Sequence, residues 1–341
     1  MAHRNAQNRE TMRSQTTNWI FGTIQQDALW LLFPGPLVLL LLSILSPMTT
    51  LATIIFFIIF AFFDSGHVYL TWWRTLFNPK ERSRTPKYFL VPFIILIFFT
   101  SLFIFDFKYV WSLVLYATAY HYIKQVIGFY HLYRKGRSKD HVQTYLFSFL
   151  LLIPFVAFHF RPDLMASGFY TQNDLLLYPS EDLYQKSLFV LLFSQALFFI
   201  IELRNYLKKQ FCKEAVLYIF IMSWFYIILF LTPQFSMPVI LSSLIFSHTI
   251  PYSRLIQKSL SKKQPIPLFK KNKNILITVL ITLIVFGSLE SFVERYFIDF
   301  QNQHFSLSKS LLHGLYLVPL FFHFYFDGVI WKRNHPEFPH Y

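Results

Sequence analysis

Residues 50–74, TLATIIFFIIFAFFDSGHVYLTWWR, decide the fold: a long apolar run is interrupted near its end by Asp64 and His67. An apolar run of about 20 residues is long enough to cross the hydrocarbon core of a bilayer as a helix. An ionisable side chain inside such a run is costly, and it generally faces the protein interior or a cavity. This stretch therefore predicts a membrane helix that contributes polar groups to an internal site.

The composition of the whole chain agrees with this interpretation. Hydrophobic residues make up 55% of the 341 residues, charged residues make up 14%, and 43 positions are Phe. A soluble domain carries about 25% charged residues, so the excess apolar surface must face lipid. We expect an all-α, polytopic integral membrane helical bundle, with one transmembrane domain (29–331) between cytosolic segments 1–28 and 332–341.

Apolar runs of spanning length occur ten times, and no internal repeat or low-complexity linker divides them. The first lacks a small-residue cleavage site preceded by a basic segment and a short apolar core, so we interpret it as a retained helix and not a signal peptide. The predicted spans are 29–47, 50–73, 88–106, 109–133, 142–160, 187–205, 214–232, 237–257, 274–295 and 307–331.

The distribution of cations predicts the orientation of these spans. Of the 31 Lys and Arg residues, 25 lie in one alternating set of loops and five in the other, and Lys124 lies inside a span. Positively charged loops remain on the cytosolic side, so both termini are predicted to be cytosolic. The net charge of +14 is then mainly a topology signal that also attracts anionic lipid. Nucleic-acid binding would need a basic soluble module, for which the loops are too short.

Several classes of site are excluded by the residues present. The single cysteine, Cys212, rules out an intrachain disulfide framework and a cysteine-rich zinc or iron–sulfur site. The chain contains no Gly-rich phosphate loop, no GxSxG motif and no HExxH motif. The histidines are therefore the most informative polar residues.

Four predicted spans carry histidine at similar depth. Counting at 1.5 Å per residue from the basic residue at the cytosolic end of each span places His67 at about 10 Å, His248 at about 9 Å and His323 at about 13 Å. On the fourth span, His121 lies at about 19 Å and His131 at about 4 Å, so the two bracket the common layer. All four spans run from the outside to the inside.

The chemistry of this layer predicts a transition-metal site. Imidazole suits Fe, Cu and Zn, and a nearby carboxylate suits oxygen-activating iron or orients a ligating histidine. Polar pairs at i, i+3 or i, i+4 lie on one helix face. Gly128 is expected to let a neighbouring helix approach closely. The predicted metal site consists of His67, His121, His248 and His323, with His131 as the substitute for His121 and with Asp64, Asp327 and Gln125 beside them. Tyr120 and Lys124, the predicted catalytic residues, are placed to supply protons or hydrogen bonds there.

Two resemblances bear on this prediction. The strings DSGHVYLTWWRT (64–75), HYIKQVIGFY (121–130) and HFYFDGVIWK (323–332) resemble those of an uncharacterised family of bacterial polytopic membrane proteins, which implies a bacterial inner (plasma) membrane. The dispersed histidines are also similar in style to those of the Brp/Blh-type β-carotene dioxygenases, which implies a buried non-haem iron and a lipophilic polyene substrate. The clustered HxxxH and HxxHH boxes of membrane desaturases are absent.

We therefore expect an integral-membrane metalloenzyme, a non-haem-iron oxidoreductase or oxygenase that acts on a lipophilic small molecule with the help of a redox partner. Three alternatives remain at this stage. The histidines could bind haem, the polar layer could form the ion or proton path of a transporter, or it could only hold the helices of a membrane scaffold together by hydrogen bonds.

Overall fold

A computed structural model describes residues 19–45, 49–78, 87–134, 141–164, 170–171, 174–208, 211–262, 272–300 and 305–330. All regular secondary structure in these ranges is helical, and none of the described residues forms a β-strand. The prediction of an all-α fold is thus confirmed. Most of the predicted cytosolic segment 1–28, the whole of 332–341 and several of the cationic loops lie outside the described residues.

Each of the ten predicted spans coincides with a helix or with a run of consecutive short helices. Two π-helical segments interrupt these runs, Ala28–Leu32 before α2 and Ile59–Ser65 between α3 and α4. The α-helices are α1 (Ile24–Asp27), α2 (Pro34–Leu45), α3 (Thr49–Ile58), α4 (Gly66–Val68), α5 (Leu70–Arg74), α6 (Lys87–Ile104), α7 (Val110–Tyr133), α8 (His141–Phe160), α9 (Glu181–Leu207), α10 (Lys213–Leu231), α11 (Met237–Lys262), α12 (Asn272–Phe297) and α13 (Leu307–Ile330).

The length and hydropathy of these helices are those of a membrane protein. Within the described ranges, six helices are long and apolar enough to cross a membrane, and a seventh results if the pair Ile24–Leu32 and Pro34–Leu45, bent by 55°, forms one span. Helices α7 and α13 are not among them although each has 24 residues. Both carry polar residues of the predicted site, which lower their hydropathy. The number ten therefore stays a prediction.

The surface of the bundle is unusually apolar. Large hydrophobic side chains point outward from several helices, and Phe189, Leu192 and Ile200 on α9 are each more than 60% exposed. Phe89 and Phe93 on α6 are exposed to a similar extent. A surface of this kind is stable against lipid tails and would be an aggregation surface in water.

The segment that carries His67 is supported by direct contact between helix backbones. A Cβ atom on Gly66 would overlap the backbone of Leu283 in α12, and a Cβ atom on Gly287 would overlap the backbone of Ala61. Small residues at the interface let membrane helices approach closely, which increases their dispersion contact. This contact fixes the rotation of α4 and α5 relative to the rest of the bundle.

The remaining packing places the four histidine-bearing helices around one centre. Helix α6 packs along α13, α8 packs against α9 and α10, and α11 packs against α2 and the π-helical segment Ile59–Ser65. Helix α11 also contacts α7 and α4, and α13 contacts α4. The four helices α4, α7, α11 and α13 thus meet in the interior, where each contributes one histidine.

Candidate metal centre

The four predicted ligand histidines come together in the interior of the bundle. His67, His121, His248 and His323 are all buried, and none is more than 8% exposed. Their rings form a closed cycle in which neighbouring ring centroids lie 4.8–4.9 Å apart, in the order 67, 248, 121, 323. Four imidazoles from four helices therefore surround a common point.

The spacing of the nitrogens suits a single metal ion. His67 Nε2 lies 3.0 Å from His248 Nε2. Two nitrogens bound to one ion with bonds of about 2.1 Å lie roughly 3.0–3.4 Å apart for angles between 90° and tetrahedral. His67, His248 and His323 each offer a nitrogen, and these three atoms lie within 4.8 Å of one another. The geometry of this group fits one transition-metal ion.

Three nitrogens of the cluster make no hydrogen bond to any residue that the structure describes. His121 Nε2, His248 Nδ1 and His323 Nε2 are buried, and none of them makes a hydrogen bond. Most buried polar atoms in proteins are hydrogen-bonded, because leaving one unsatisfied costs about 1–3 kcal/mol. The unpaired Nε2 atoms of His121 and His323 indicate that the cluster is built for a group that supplies the missing interactions.

The protonation of His67 follows from its hydrogen bonds. Its Nδ1 contacts the backbone carbonyl oxygens of Phe63, at 2.9 Å, and of Asp64. Because a carbonyl oxygen only accepts hydrogen bonds, Nδ1 must carry the proton in the neutral ring. Its Nε2 then presents a lone pair to the centre of the cluster. Both carbonyls belong to the π-helical segment Ile59–Ser65, a type of distortion that is common at functional sites.

The protonation of His323 follows from a chain of hydrogen bonds that ends on a carboxylate. Tyr252 donates its hydroxyl proton to Asp327 Oδ1 at 2.8 Å, so it cannot donate to Thr71 as well. Thr71 Oγ1 lies 2.6 Å from the Tyr252 hydroxyl and must therefore donate to it. The remaining contact, 2.6 Å between Thr71 Oγ1 and His323 Nδ1, requires a proton on Nδ1. His323 Nε2 is then a free lone pair, as a metal ligand must be.

Asp327 lies at the edge of the cluster and adds a carboxylate to it. Its Oδ2 is 3.8 Å from His121 Nε2, and its Oδ1 is 3.7 Å from His323 Nδ1. His121, His323 and Asp327 form a second group whose ligand atoms lie within 4.8 Å of one another. The structure thus brings Asp327 into the site, where it orients His323 through Thr71 and Tyr252 and also offers an oxygen atom.

Asp64 is placed differently from Asp327. Its carboxylate accepts a hydrogen bond from the Tyr122 hydroxyl at 2.9 Å, and it lines a cavity of about 30 Å³ together with Tyr170 and Glu290. Only its backbone carbonyl contacts His67. The ring of Tyr122 stacks on His248 with a centroid distance of 4.3 Å. Asp64 therefore supports the site through Tyr122 and through its backbone, with its carboxylate outside the two ligand groups.

The other predicted site residues lie on α7 beside the cluster. Gln125 donates to the backbone carbonyl of His248 at 2.9 Å, and its Oε1 is buried without a partner. Tyr120, Lys124 and His131 have exposed side chains and line a cavity of about 1040 Å³ next to the cluster. His131 stands ten residues beyond His121, which is about 15 Å along a helix. The structure therefore places His121, and not His131, among the four imidazoles.

The large cavity lies between α7 and the pair formed by α6 and α13. Its inner wall includes His121, Tyr252 and Asp327, so it reaches the cluster directly.

The prediction that Gly128 permits a close helix contact is wrong, because no atom lies within 4 Å of the place where its Cβ would be. Gly328 is equally open. Both glycines line the cavity, where the missing side chains leave it wider.

Two residues of the site, Thr71 and Tyr252, were not predicted from the sequence. Each follows a cluster histidine by four positions, Thr71 after His67 and Tyr252 after His248, on the same helix face. The same spacing separates the two predicted pairs on α7 and α13. A search for polar residues at i+4 from every histidine within a span would have found both.

Comparisons with protein-family models, with curated proteins and with solved structures find no match to this chain.

Proposed function

We propose that this chain is an integral-membrane metalloenzyme, a non-haem-iron oxidoreductase that acts on a lipophilic substrate. The observation that carries the proposal is the closed ring of four buried imidazoles, in which Nε2 of His121 and Nε2 of His323 have no hydrogen-bond partner among the described residues. Hydrogen bonds of surrounding residues leave the inner nitrogens of His67 and His323 as lone pairs. Metal ligation uses this state of imidazole.

The choice of iron rests on the donor set. Two imidazoles and one carboxylate are the ligands of oxygen-activating non-haem iron. His121, His323 and Asp327 have this composition, and two further imidazoles stand opposite them. Cysteine, which favours zinc and copper(I), does not occur among the grouped residues. The donor set therefore fits non-haem iron, and it lacks the thiolate that copper(I) prefers.

The roles of the residues follow from their positions. Bound iron would supply the activation of oxygen, or the polarisation of an oxygen atom of the substrate, at the inner wall of the cavity. Asp327 accepts the hydrogen bond that begins the chain through Tyr252 and Thr71, and this chain holds the ring of His323 in one orientation. Tyr120 and Lys124 face the cavity, where they can hydrogen-bond or transfer a proton to a bound substrate.

The location of the site supports a lipophilic substrate. The cavity is lined mainly by apolar side chains, and two of them, Leu90 and Ile94, are more than half exposed on the apolar surface of the bundle. Its mouth is therefore on the face that we assign to lipid. We further propose ten spans with both termini in the cytosol of a bacterial inner membrane, and a redox partner that docks on the cytosolic side.

The geometry is less favourable to the alternatives. Two axial histidines of a haem lie on opposite sides of the macrocycle, so their nitrogens are roughly 4 Å apart, twice a metal–nitrogen bond of about 2 Å. His67 and His248 approach more closely than this, and two further imidazoles occupy the adjacent space. A scaffold explains the hydrogen bonds between helices, such as that from Tyr252 to Asp327, but not the imidazole nitrogens that have no hydrogen bond. A transporter is favoured by none of the contacts described above.

The direct test is metal analysis of the detergent-purified protein together with an optical spectrum. We expect the protein to contain iron in a stoichiometric amount and its spectrum to show no Soret band. The double variant His67→Ala plus His323→Ala should lose this metal, because it removes two of the four imidazoles, one from α4 and one from α13. The matched control is His131→Ala, which removes an exposed histidine from the same cavity and should keep the metal.

Two results together would refute the proposal of a metalloenzyme. The purified protein would contain no stoichiometric iron, copper, manganese or zinc, and the double variant would be as stable as the wild-type protein. A Soret band that disappears in the double variant would establish the haem protein instead. Loss of metal in His131→Ala but not in His121→Ala would show that the wrong histidine of α7 has been assigned to the site.

A further inference from the structure

The cavity beside the cluster is long as well as apolar. Its wall on α7 extends from Ala117 to Leu132, which is about 22 Å at the rise of an α-helix. One leaflet of a bilayer has a hydrocarbon depth of about 15 Å, half of the hydrocarbon core. Lys124 lies near the middle of this wall, about 12 Å from Leu132, so the cavity can hold the first part of an extended lipid chain whose head is at Lys124. Its volume of about 1040 Å³ is at the upper end of the range for small-molecule sites.

The wall of this apolar cavity includes a basic residue, Lys124. Lys124 is exposed, and no carboxylate among the described residues lies within ion-pair distance of its ammonium group. The ring of Tyr120 is 6.0 Å away. The carboxylate that lines the same cavity, Asp327, is engaged with Tyr252 and lies beside His121. An ammonium group in such surroundings attracts an anion.

The depth of Lys124 argues against a simple interfacial role. Lys124 lies ten residues before Arg134, which is about 15 Å along α7. A lysine on the lipid side can extend its four-carbon stem toward the headgroups, but that stem does not cover such a distance. An anion that pairs with Lys124 must therefore do so inside the cavity.

We propose that the cavity binds a single-chain amphiphile whose anionic head, a carboxylate or a phosphate, pairs with Lys124 while its apolar chain lies along α7 against α6 and α13. The open positions of Gly128 and Gly328 leave room for this chain. Lys124 thereby determines specificity, because it selects an anionic amphiphile over a neutral lipid of the same length.

This proposal deepens the proposed metalloenzyme and rests on it for one consequence. Lys124 follows His121 by one helical turn, so the head of the ligand lies about 5 Å along the helix from the cluster. The carbon atoms next to the head are then the part of the chain nearest to the imidazoles. The oxidised position would be among the first few carbons of the chain, and not at its far end.

Binding itself does not require a metal, so it is tested on chelator-treated protein in nanodiscs of phosphatidylcholine, which carries no net charge. The probes are spin-labelled stearate and its methyl ester, measured by electron paramagnetic resonance as the motionally restricted fraction. The variants are Lys124→Met and Lys124→Gln, which remove the charge, and Lys124→Arg, which keeps it. The matched control Lys108→Met removes an exposed cation that contacts the ring of Tyr109 outside the cavity.

We expect the acid to bind the wild-type protein about tenfold more tightly than the ester, which corresponds to about 1.4 kcal/mol. Both charge-removing variants should lose this preference, whereas Lys124→Arg and Lys108→Met should keep it. Gly128→Leu should weaken both probes, because its side chain occupies space that is open in the wild-type cavity. Competition with octadecyl phosphate then shows which head binds more tightly, carboxylate or phosphate.

Equal binding of acid and ester to the wild-type protein would overturn the proposal, and so would a preference that survives both charge-removing variants. Displacement by octadecanol that is as effective as displacement by either anion would overturn it as well. Because these measurements use metal-free protein, they can fail while the metal analysis succeeds, and the reverse is also true.

Discussion

Each histidine of the cluster has a polar side chain four residues further along the chain. Positions i and i+4 lie on one face of a helix, so these partners form a layer beside the imidazoles on their predicted cytosolic side. Three of the partners are joined in one chain of hydrogen bonds, and the fourth holds a backbone carbonyl. The pairs are His67 with Thr71, His121 with Gln125, His248 with Tyr252, and His323 with Asp327.

At the scale of the residue, we predict the effect of removing the Thr71 hydroxyl, which links Tyr252 on α11 to His323 on α13. Thr71→Val breaks the chain between Tyr252 and His323, so the ring of His323 is no longer held with its inner nitrogen unprotonated. Loss of such an outer partner usually lowers metal affinity by about tenfold to a hundredfold. Competition with a chelator of known affinity measures the change.

Thr71→Ser should retain the affinity, because its hydroxyl can make the same two contacts. The control Thr278→Val removes a hydroxyl that donates only within its own helix, to Asn274, and should leave the affinity unchanged. An unaltered affinity in Thr71→Val would mean that the hydrogen-bond chain does not set the state of His323.

At the scale of the elements, the contact between α12 and the segment from Ile59 to Val68 positions the site. Gly66 and Gly287 allow the two backbones to touch, and the π-helical segment places two carbonyl oxygens against His67. The apolar pattern of residues 50–74 predicts a continuous helix and contains no signal for the π-helical segment. This feature depends on the neighbouring helix, since a widened turn is costly in an isolated helix.

Gly66→Ala and Gly287→Ala should each destabilise the protein, because the new methyl group would overlap backbone atoms that cannot move aside. Overpacking of this kind costs typically about 1–3 kcal/mol. Thermal unfolding in detergent should show a lower transition temperature for both variants.

The control for this experiment is Gly128→Ala, where the methyl group meets no atom within 4 Å. It should leave the transition temperature unchanged or raise it, because alanine favours a helix over glycine by about 0.5–1 kcal/mol. A similar loss of stability in all three variants would show that helix packing at Gly66 and Gly287 is not the cause.

At the scale of the whole molecule, the cation distribution predicts which ends of the helices face the cytosol. The clearest test uses single cysteines in a Cys212→Ser background, since Cys212 is the only native cysteine. Lys186→Cys lies near the predicted outer end of α9, and His141→Cys lies at the predicted cytosolic start of α8; both positions are exposed. A membrane-impermeant maleimide added to intact spheroplasts should label the first and spare the second. The opposite labelling would reverse the predicted orientation.

Much of the fold was predictable because lipid leaves few alternatives. A backbone that crosses hydrocarbon must satisfy its own hydrogen bonds, so each long apolar run becomes a helix, and each of the ten predicted runs is mainly helical over its described residues. The composition also predicts an apolar outer surface. The depth of His67, His248 and His323 could be estimated because a helix advances by a constant rise per residue.

The arrangement of side chains at the centre depends on how each helix is rotated about its axis. Sequence hydropathy says little about that rotation, because lipid tails and the protein interior are similarly apolar. Packing between the helices therefore decides that His121 and not His131 joins the ring, that the carboxylate of Asp64 stays outside the ligand groups while Asp327 lies at the edge, and that Gly128 opens onto a cavity. Apolar patterning places the helices and the layer of histidines, whereas close contact between helices selects which nitrogen and oxygen atoms face one another.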